Sequence, residues 1–275
     1  MVELRGARVL VTGAAGGLGR YISRGLAGEG SDLAVSDLPA SEIEAVAEEL
    51  RALGAEAQAV PVDLTDATER ERLVRDAEQA IGPLDVLVNN AGLEFGGSFT
   101  RTTRQELEAI ATVNLIAVMD LTRLVLPGML ERRRGHVVNL ASLAGKLAPM
   151  YLASYAATKH GVVGFTHSLR SEYADEPVGF SAICPVFVSR VGMYGRLESG
   201  MDEPPPGLKT IPPERVADAV VKAIREDRAE LVLNRGPIRP LIALYSVAPR
   251  TASRLLGNRR TRKFARQYAR VRGRL

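Results

Sequence analysis

Tryptophan is absent from the 275 residues, cysteine occurs once, and aromatic side chains make up only 5% of the chain. One thiol, Cys184, forbids an internal disulfide framework and cannot build a cysteine-ligated zinc centre. It lies in the apolar run 178–184, so it reads as a buried small side chain rather than a nucleophile. Histidine is scarce as well. His136 precedes an apolar run, and His160 and His167 stand seven apart, the wrong spacing for two ligands one helical turn apart, so structural roles are expected and no metal. No uninterrupted apolar run approaches the roughly 18 residues that span a bilayer. The first residues run through a charged and then an apolar, strand-like pattern that does not have the layout of a signal peptide. The expectation is a cytoplasmic protein with an ordinary core.

Acidic residues are missing from one region only. All 32 lie at or before Glu230, whereas residues 235–275 hold twelve Lys and Arg and no acid. The first 234 residues therefore carry −8 and the remainder +12, which together give the net charge of +4. The basic character belongs to the tail and not to the body.

What is present is an alternation of β-rich apolar runs with helix-period segments, the pattern of repeated βα units on a parallel sheet. Strands are expected at 7–12, 32–36, 55–60, 84–89, 136–142, 178–183 and 230–233. Helices are expected at 17–27, from an N-cap at Ser41 to 53, at 66–81, at 103–131 (bent, with Pro127 near its end), at 152–173 and at 213–226. Neither a repeat nor a linker interrupts this order. It predicts a single α/β domain over 1–234 with a Pro-, Gly- and Met-rich lid at 186–211, followed by a basic extension at 235–275.

Gly13, Gly16, Gly17, Leu18 and Gly19 fill the turn between the first strand and its helix and are the expected cofactor contacts there. Such a turn lets the backbone approach a pyrophosphate, which the helix N-terminus then attracts. The spacing differs from G-x-G-x-x-G. Asp37 ends the second strand, about 20 residues on, where a carboxylate can accept hydrogen bonds from an adenosine ribose and repel a 2′-phosphate. No basic residue precedes Arg20 in the glycine turn, so NAD is expected over NADP. Asp63 and Leu64, after the third strand, can bracket an adenine, and Asn90, Ala91 and Gly92, after the fourth, offer an amide and close backbone approach. Ser142 falls at the end of the fifth strand, where open α/β sheets place their chemistry. Tyr155 and Lys159 share one face of the following helix. An ammonium beside a phenol favours the phenolate and lowers a reference pKa of about 10. Asn114 sits inside a helical stretch, where its amide competes with backbone hydrogen bonds.

Taken together, T-G-x-x-x-G-x-G at 12–19, Asp37, Asp63 with Leu64, N-N-A-G at 89–92, Asn114, Ser142 and Y-x-x-x-K at 155–159 resemble the short-chain dehydrogenase/reductase family over roughly residues 4–233. The resemblance implies a Rossmann-type, doubly wound parallel sheet of about seven strands flanked by helices, assembled as a homodimer or homotetramer. It further implies Tyr155 as general acid/base and Lys159 as its electrostatic partner, holding the nicotinamide ribose. Ser142 would orient the substrate oxygen, and Asn114 would support a water in a proton relay. The family's usual Pro-Gly after the sixth strand is here Pro185 and Val186. Val188 would still present backbone to the carboxamide and Ser189 would replace the common Thr, but Val186 alters the pocket on the nicotinamide side.

The expected reaction is interconversion of a secondary alcohol and a ketone or aldehyde. An NADPH-dependent ketoreductase of acyl substrates is the enzymatic alternative, and a non-catalytic NAD-binding protein at a membrane surface the other. Phe187, Met193 and Tyr194, with Leu197 and Met201, make the lid apolar and favour a lipophilic small molecule. In the tail, 238–248 is apolar and the rest Arg-rich, with weak helical patterns at 251–256 and 262–271. Three uses stay open: a cover over the substrate mouth or a subunit interface, an anionic membrane surface, and nucleic acid, the least supported because interleaved aromatics are few.

Overall fold

In the computed structural model, residues 2–272 are described except Arg196 and Pro206, with Ser199 described through its backbone only. Seven parallel strands form one sheet: β1 (Arg8–Thr12), β2 (Asp32–Ser36), β3 (Ala57–Ala59), β4 (Val86–Asn89), β5 (Gly135–Leu140), β6 (Val178–Pro185) and β7 (Glu230–Leu233). Their order is β3-β2-β1-β4-β5-β6-β7. The chain reverses its direction of sheet growth between β1 and β4, the topological switch point at which doubly wound sheets open a crevice.

The strands alternate with helices, and period-2 patterning sorts their side chains to two faces. Val9, Val11, Val35, Val86 and Val138 point to one face, under α1 (Gly17–Gly28), α2 (Ile43–Ala52) and α8 (Pro213–Glu226). Leu10, Ala34, Leu87, Val137 and Phe180 point to the other, under α3 (Ala67–Ile81) and α5 (Ala117–Glu131). Burying both faces is what makes the central strands read as continuous apolar runs. Next to β6, α6 (Ala153–Glu172) packs Val162 and Val163 against Ala182 and the fully buried Cys184.

Several expected boundaries move for local reasons. The helix at 43–52 starts after Glu42 and not at Ser41, whose hydroxyl donates to the Leu38 carbonyl and closes a turn instead. Strand β3 is cut to three residues, and β5 ends at Leu140. Ser142 then lies in extended backbone and caps a short 3-10 turn by accepting from the Ala144 N–H at 3.1 Å. The long helix at 103–131 is continuous but not uniform. A capping box of Thr103 and Glu106 starts α4 (Arg104–Ala111), and a π-helical segment, Thr112–Ile116, joins it to α5. The extra residue per turn there bends the helix and re-aims Asn114. By length and composition Arg104–Glu131 is apolar enough to cross a membrane, which the reading from uninterrupted runs did not foresee. Half of its apolar window is buried inside this protein, so it serves as a core helix.

Beyond β7 the tail forms α9 (Arg239–Val247), α10 (Pro249–Leu256) and α11 (Arg259–Val271). Leu241, Ile242 and Tyr245 of α9 pack on the main core. The apolar piece thus extends the body, and it is the Arg-rich helix α11 that reaches the mouth of the crevice.

His136 lies within β5 and is 1% exposed. Its Nε2 pairs with the Ser181 hydroxyl at 2.8 Å, and opposite it stands Gly179, where any Cβ would meet the imidazole at 2.3 Å. Burial lowers its pKa from 6.5 to about 4, against a partial pull upward from Asp227. The folded state therefore binds the proton less well than the unfolded one. The neutral imidazole's stability is complete above pH 6.5 and is lost as pH falls toward 4, up to about 3 kcal/mol. Urea unfolding of wild type and His136→Asn across this window should show a wild-type slope that the variant lacks.

Candidate active site

The crevice at the switch point is one cleft of about 830 Å³ running from the glycine turn to α11. All predicted cofactor, catalytic and substrate positions line it except Asn114 and Ser189.

At one end the backbone leaves room that only glycine permits. Gly13 has φ +66°, and a Cβ there would meet the Ala91 Cα at 2.7 Å. At Gly17 it would strike the Val191 side chain at 2.6 Å, and at Gly19 the Gly13 carbonyl oxygen at 2.1 Å. The turn is sewn to the loop after β4. The Asn90 amide donates to the Thr12 and Gly13 carbonyls at 2.9 and 3.0 Å, and the Thr12 hydroxyl accepts from the Asn90 and Ala91 N–H groups. Asp37 accepts from the Ala15, Gly16 and Leu38 N–H groups. A carboxylate has about four lone-pair sites, so one remains for a ribose hydroxyl. The cradle, the helix N-terminus and Asp37 fit the pyrophosphate and adenosine ribose of a nicotinamide dinucleotide.

At the other end, Ser142 and Tyr155 meet. The phenol is buried, and burial pushes its pKa up, reinforced by the Glu94 charge and countered by the hydrogen bond from Ser142. The expected lowering by Lys159 is not seen in the protein alone. The Lys159 Nζ donates to the Leu140 carbonyl at 2.7 Å and lies 5.7 Å from the Tyr155 ring centre. Desolvation lowers the ammonium itself to about 8, which still leaves it largely protonated at neutral pH.

Asn114 works from behind the cleft. Its Oδ1 accepts from the Leu93 N–H at 2.7 Å, and its Nδ2 donates to the Leu93 carbonyl and the Thr158 hydroxyl at 2.8 and 3.2 Å. The π segment aims this amide so that it clamps the loop after β4 to α6. Ser189 turns its hydroxyl onto the Ile211 carbonyl. Val186, where the resemblance expects a glycine, packs on the core and lines the cleft.

Sequence reasoning missed Glu94, Leu152 and Tyr268, which line the cleft, and Phe264, which backs the lid. Glu94 stands two residues after the N-N-A-G run and could have been flagged as the acid nearest it. Tyr268 carried no signal, since 113 residues separate it from Tyr155.

A dinucleotide cradle at one end of the cleft and a serine–tyrosine pair at the other define an oxidoreductase acting on carbon–oxygen bonds with a nicotinamide cofactor. A family model described as short chain dehydrogenase matches residues 7–201. The chain belongs to the short-chain dehydrogenase/reductase family. It is 37% identical over 261 residues to a ketoacyl reductase, HetN, of Nostoc sp., covering 93% of this chain and 90% of that protein. Among solved structures, a short-chain dehydrogenase/reductase of Burkholderia phymatum in complex with NAD superposes with a TM-score of 0.80 at 28% identity, covering 91% of this chain and 96% of that one. A variant actinorhodin polyketide ketoreductase with NADPH gives 0.74 at 34%, covering 82% and 92%.

Proposed function

We propose that the protein interconverts a lipophilic ketone and its secondary alcohol and prefers NADH and NAD to their phosphorylated counterparts. The observation that carries this reading is the placement of Ser142, Tyr155 and Lys159 together in the lining of a cleft whose opposite end holds Asp37.

The bound nicotinamide supplies or accepts the hydride. Ser142 orients the substrate oxygen, and Tyr155 delivers a proton to it in the reductive direction. A buried phenol that keeps its proton is an acid ready at neutral pH, which favours reduction there; oxidation requires the phenolate and gains at alkaline pH. Lys159 stands where it can hold the nicotinamide ribose, and Asn114 supports both by fixing Leu93 and Thr158. Phe187, Met193, Tyr194 and Leu152 make the surrounding wall apolar, in keeping with a lipophilic ketone.

A second reading, an NADPH-dependent reductase of ketoacyl substrates, draws on the names of the relatives. Both readings share the keto group and part at the adenosine ribose. Two like charges about 4 Å apart at a protein surface cost about 4 kcal/mol, so Asp37 should make NADH better than NADPH by well over tenfold in kcat/KM. Initial rates with each cofactor on a panel of lipophilic ketones test this, and Asp37→Ser should narrow the ratio at least tenfold. Equal rates with both cofactors in the wild type would overturn the NAD preference, and inertness toward every ketone would overturn the reaction.

A further inference from the structure

Helix α11 closes the substrate end of the cleft from a part of the chain that the catalytic motifs do not reach. Tyr268 lines the cleft, and its hydroxyl donates to the Glu94 carboxylate at 2.6 Å. Arg272 pairs with the same carboxylate at 3.0 Å, donates to the Glu94 carbonyl at 3.1 Å and covers the Tyr268 ring at 5.1 Å. The Glu94 side chain is only 6% exposed. Gly96 lies beneath this cluster, and a Cβ there would come within 3.1 Å of the Tyr268 ring and 3.2 Å of Leu152.

The same helix is fastened to the lid on its other side. Phe264 packs on Phe187 and Tyr194 with ring centres 5.5 and 6.4 Å apart. Gln267 donates to the Gly200 carbonyl and accepts from the Asp202 N–H, and Lys263 pairs with Asp202 at 2.7 Å. One helix thus staples the loop after β4 to the lid. A buried ion pair of this kind adds little net stability compared with apolar packing, but breaking one partner is costly. It therefore serves position better than stability.

We propose that α11 is the far wall of the substrate site, with Tyr268 setting the size of ketone admitted and the Glu94–Arg272 pair holding that wall in register with Tyr155. This rests on the ketone reductase reading above and adds to it a substrate whose far end is apolar and compact. Phe264 acts at one remove, as a positioning residue behind Phe187 and Tyr194.

The test compares kcat/KM for a compact ketone, cyclohexanone, and a bulky one, 4-cyclohexylcyclohexanone, in wild type, Tyr268→Ala, Phe264→Ala and Gly96→Leu, with NADH affinity measured in each. Tyr268→Ala should raise the bulky-to-compact ratio at least tenfold while NADH affinity stays within about twofold. Gly96→Leu, which presses on Tyr268 from below while leaving the sequence of the helix unchanged, should shift the ratio the same way. Unchanged ratios in an active enzyme would overturn the proposal and leave the reductase reading standing. A wild type inert toward both ketones and the wider panel would overturn that reading, and this proposal with it.

A further variant separates register from mere packing. Glu94→Gln keeps the size of the side chain but removes the charge that Arg272 pairs with, so it should shift the bulky-to-compact ratio in the same direction as Tyr268→Ala while NADH affinity stays unchanged. An unchanged ratio would show that the pair does not hold the wall, against the proposal.

Discussion

Tyr155→Phe should lose turnover by about 10³-fold while binding NADH as the wild type does. Positioned acid–base catalysis contributes about 10²–10⁴-fold, and in the proposed mechanism the phenol is the group that passes a proton to the substrate oxygen. The ring itself is buried at the junction of the lid, α4 and α11, so phenylalanine keeps the packing and only the hydroxyl is removed. The cofactor cradle is built from other residues, which is why affinity should survive. Initial rates in both directions and fluorescence titration with NADH measure the two quantities separately. Turnover within tenfold of wild type would assign the proton to another group, and a parallel loss of NADH affinity would mean that the hydroxyl serves binding.

Gly19→Ala should weaken NADH binding by on the order of 10²-fold and lower the melting temperature. The added carbon would sit 2.1 Å from the Gly13 carbonyl oxygen and 2.7 Å from the Ala14 Cα. Both neighbours are backbone, so no rotamer change relieves the clash and the whole turn must shift. Overpacking of this kind costs about 1–3 kcal/mol or more, and each 1.4 kcal/mol is tenfold in affinity. The displaced turn is also stitched to Asn90 and Ala91, so the damage should spread to the nicotinamide side. Calorimetric titration and thermal melts report the two effects. Wild-type affinity in a stable Gly19→Ala protein would show that the pyrophosphate is not held at this turn. Gly28→Ala is the internal control: it lies on the same helix with nothing within 4 Å of its Cβ position, and it should leave affinity unchanged.

The order of strands and helices could be read from the chain because each unit is short and its burial pattern local. Val86, Leu87 and Val88 announce a central strand by being apolar on both faces, and the match of Asp66 to Thr68 caps α3 within a single turn. The cofactor cradle was legible for a related reason. Glycines 13, 17 and 19 are tied to one βα turn, and Asp37 follows at the next strand end. The meeting of Ser142, Tyr155 and Lys159 in one cleft was legible as spacing, because a strand end and a helix face translate sequence separation into geometry directly. Boundaries failed where a side chain bonded to its own backbone, as Ser41 does, or where a π segment shifted register, as at Asn114.

The residues alone therefore determined the fold class and which side chains gather in the cleft, all set by contacts within one or two neighbouring elements. Tertiary structure alone decided three things. It set the electrostatics of the site, where burial raises the pKa of the phenol in spite of the neighbouring Lys159, since desolvation depends on everything packed around a group rather than on its spacing. It turned Asn114 into a clamp on Leu93 and Thr158. And it brought Tyr268 and Arg272 back across more than a hundred residues to Glu94. No periodicity encodes such a contact, because it exists only once the sheet has been built and the last helix finds an apolar mouth left to cover.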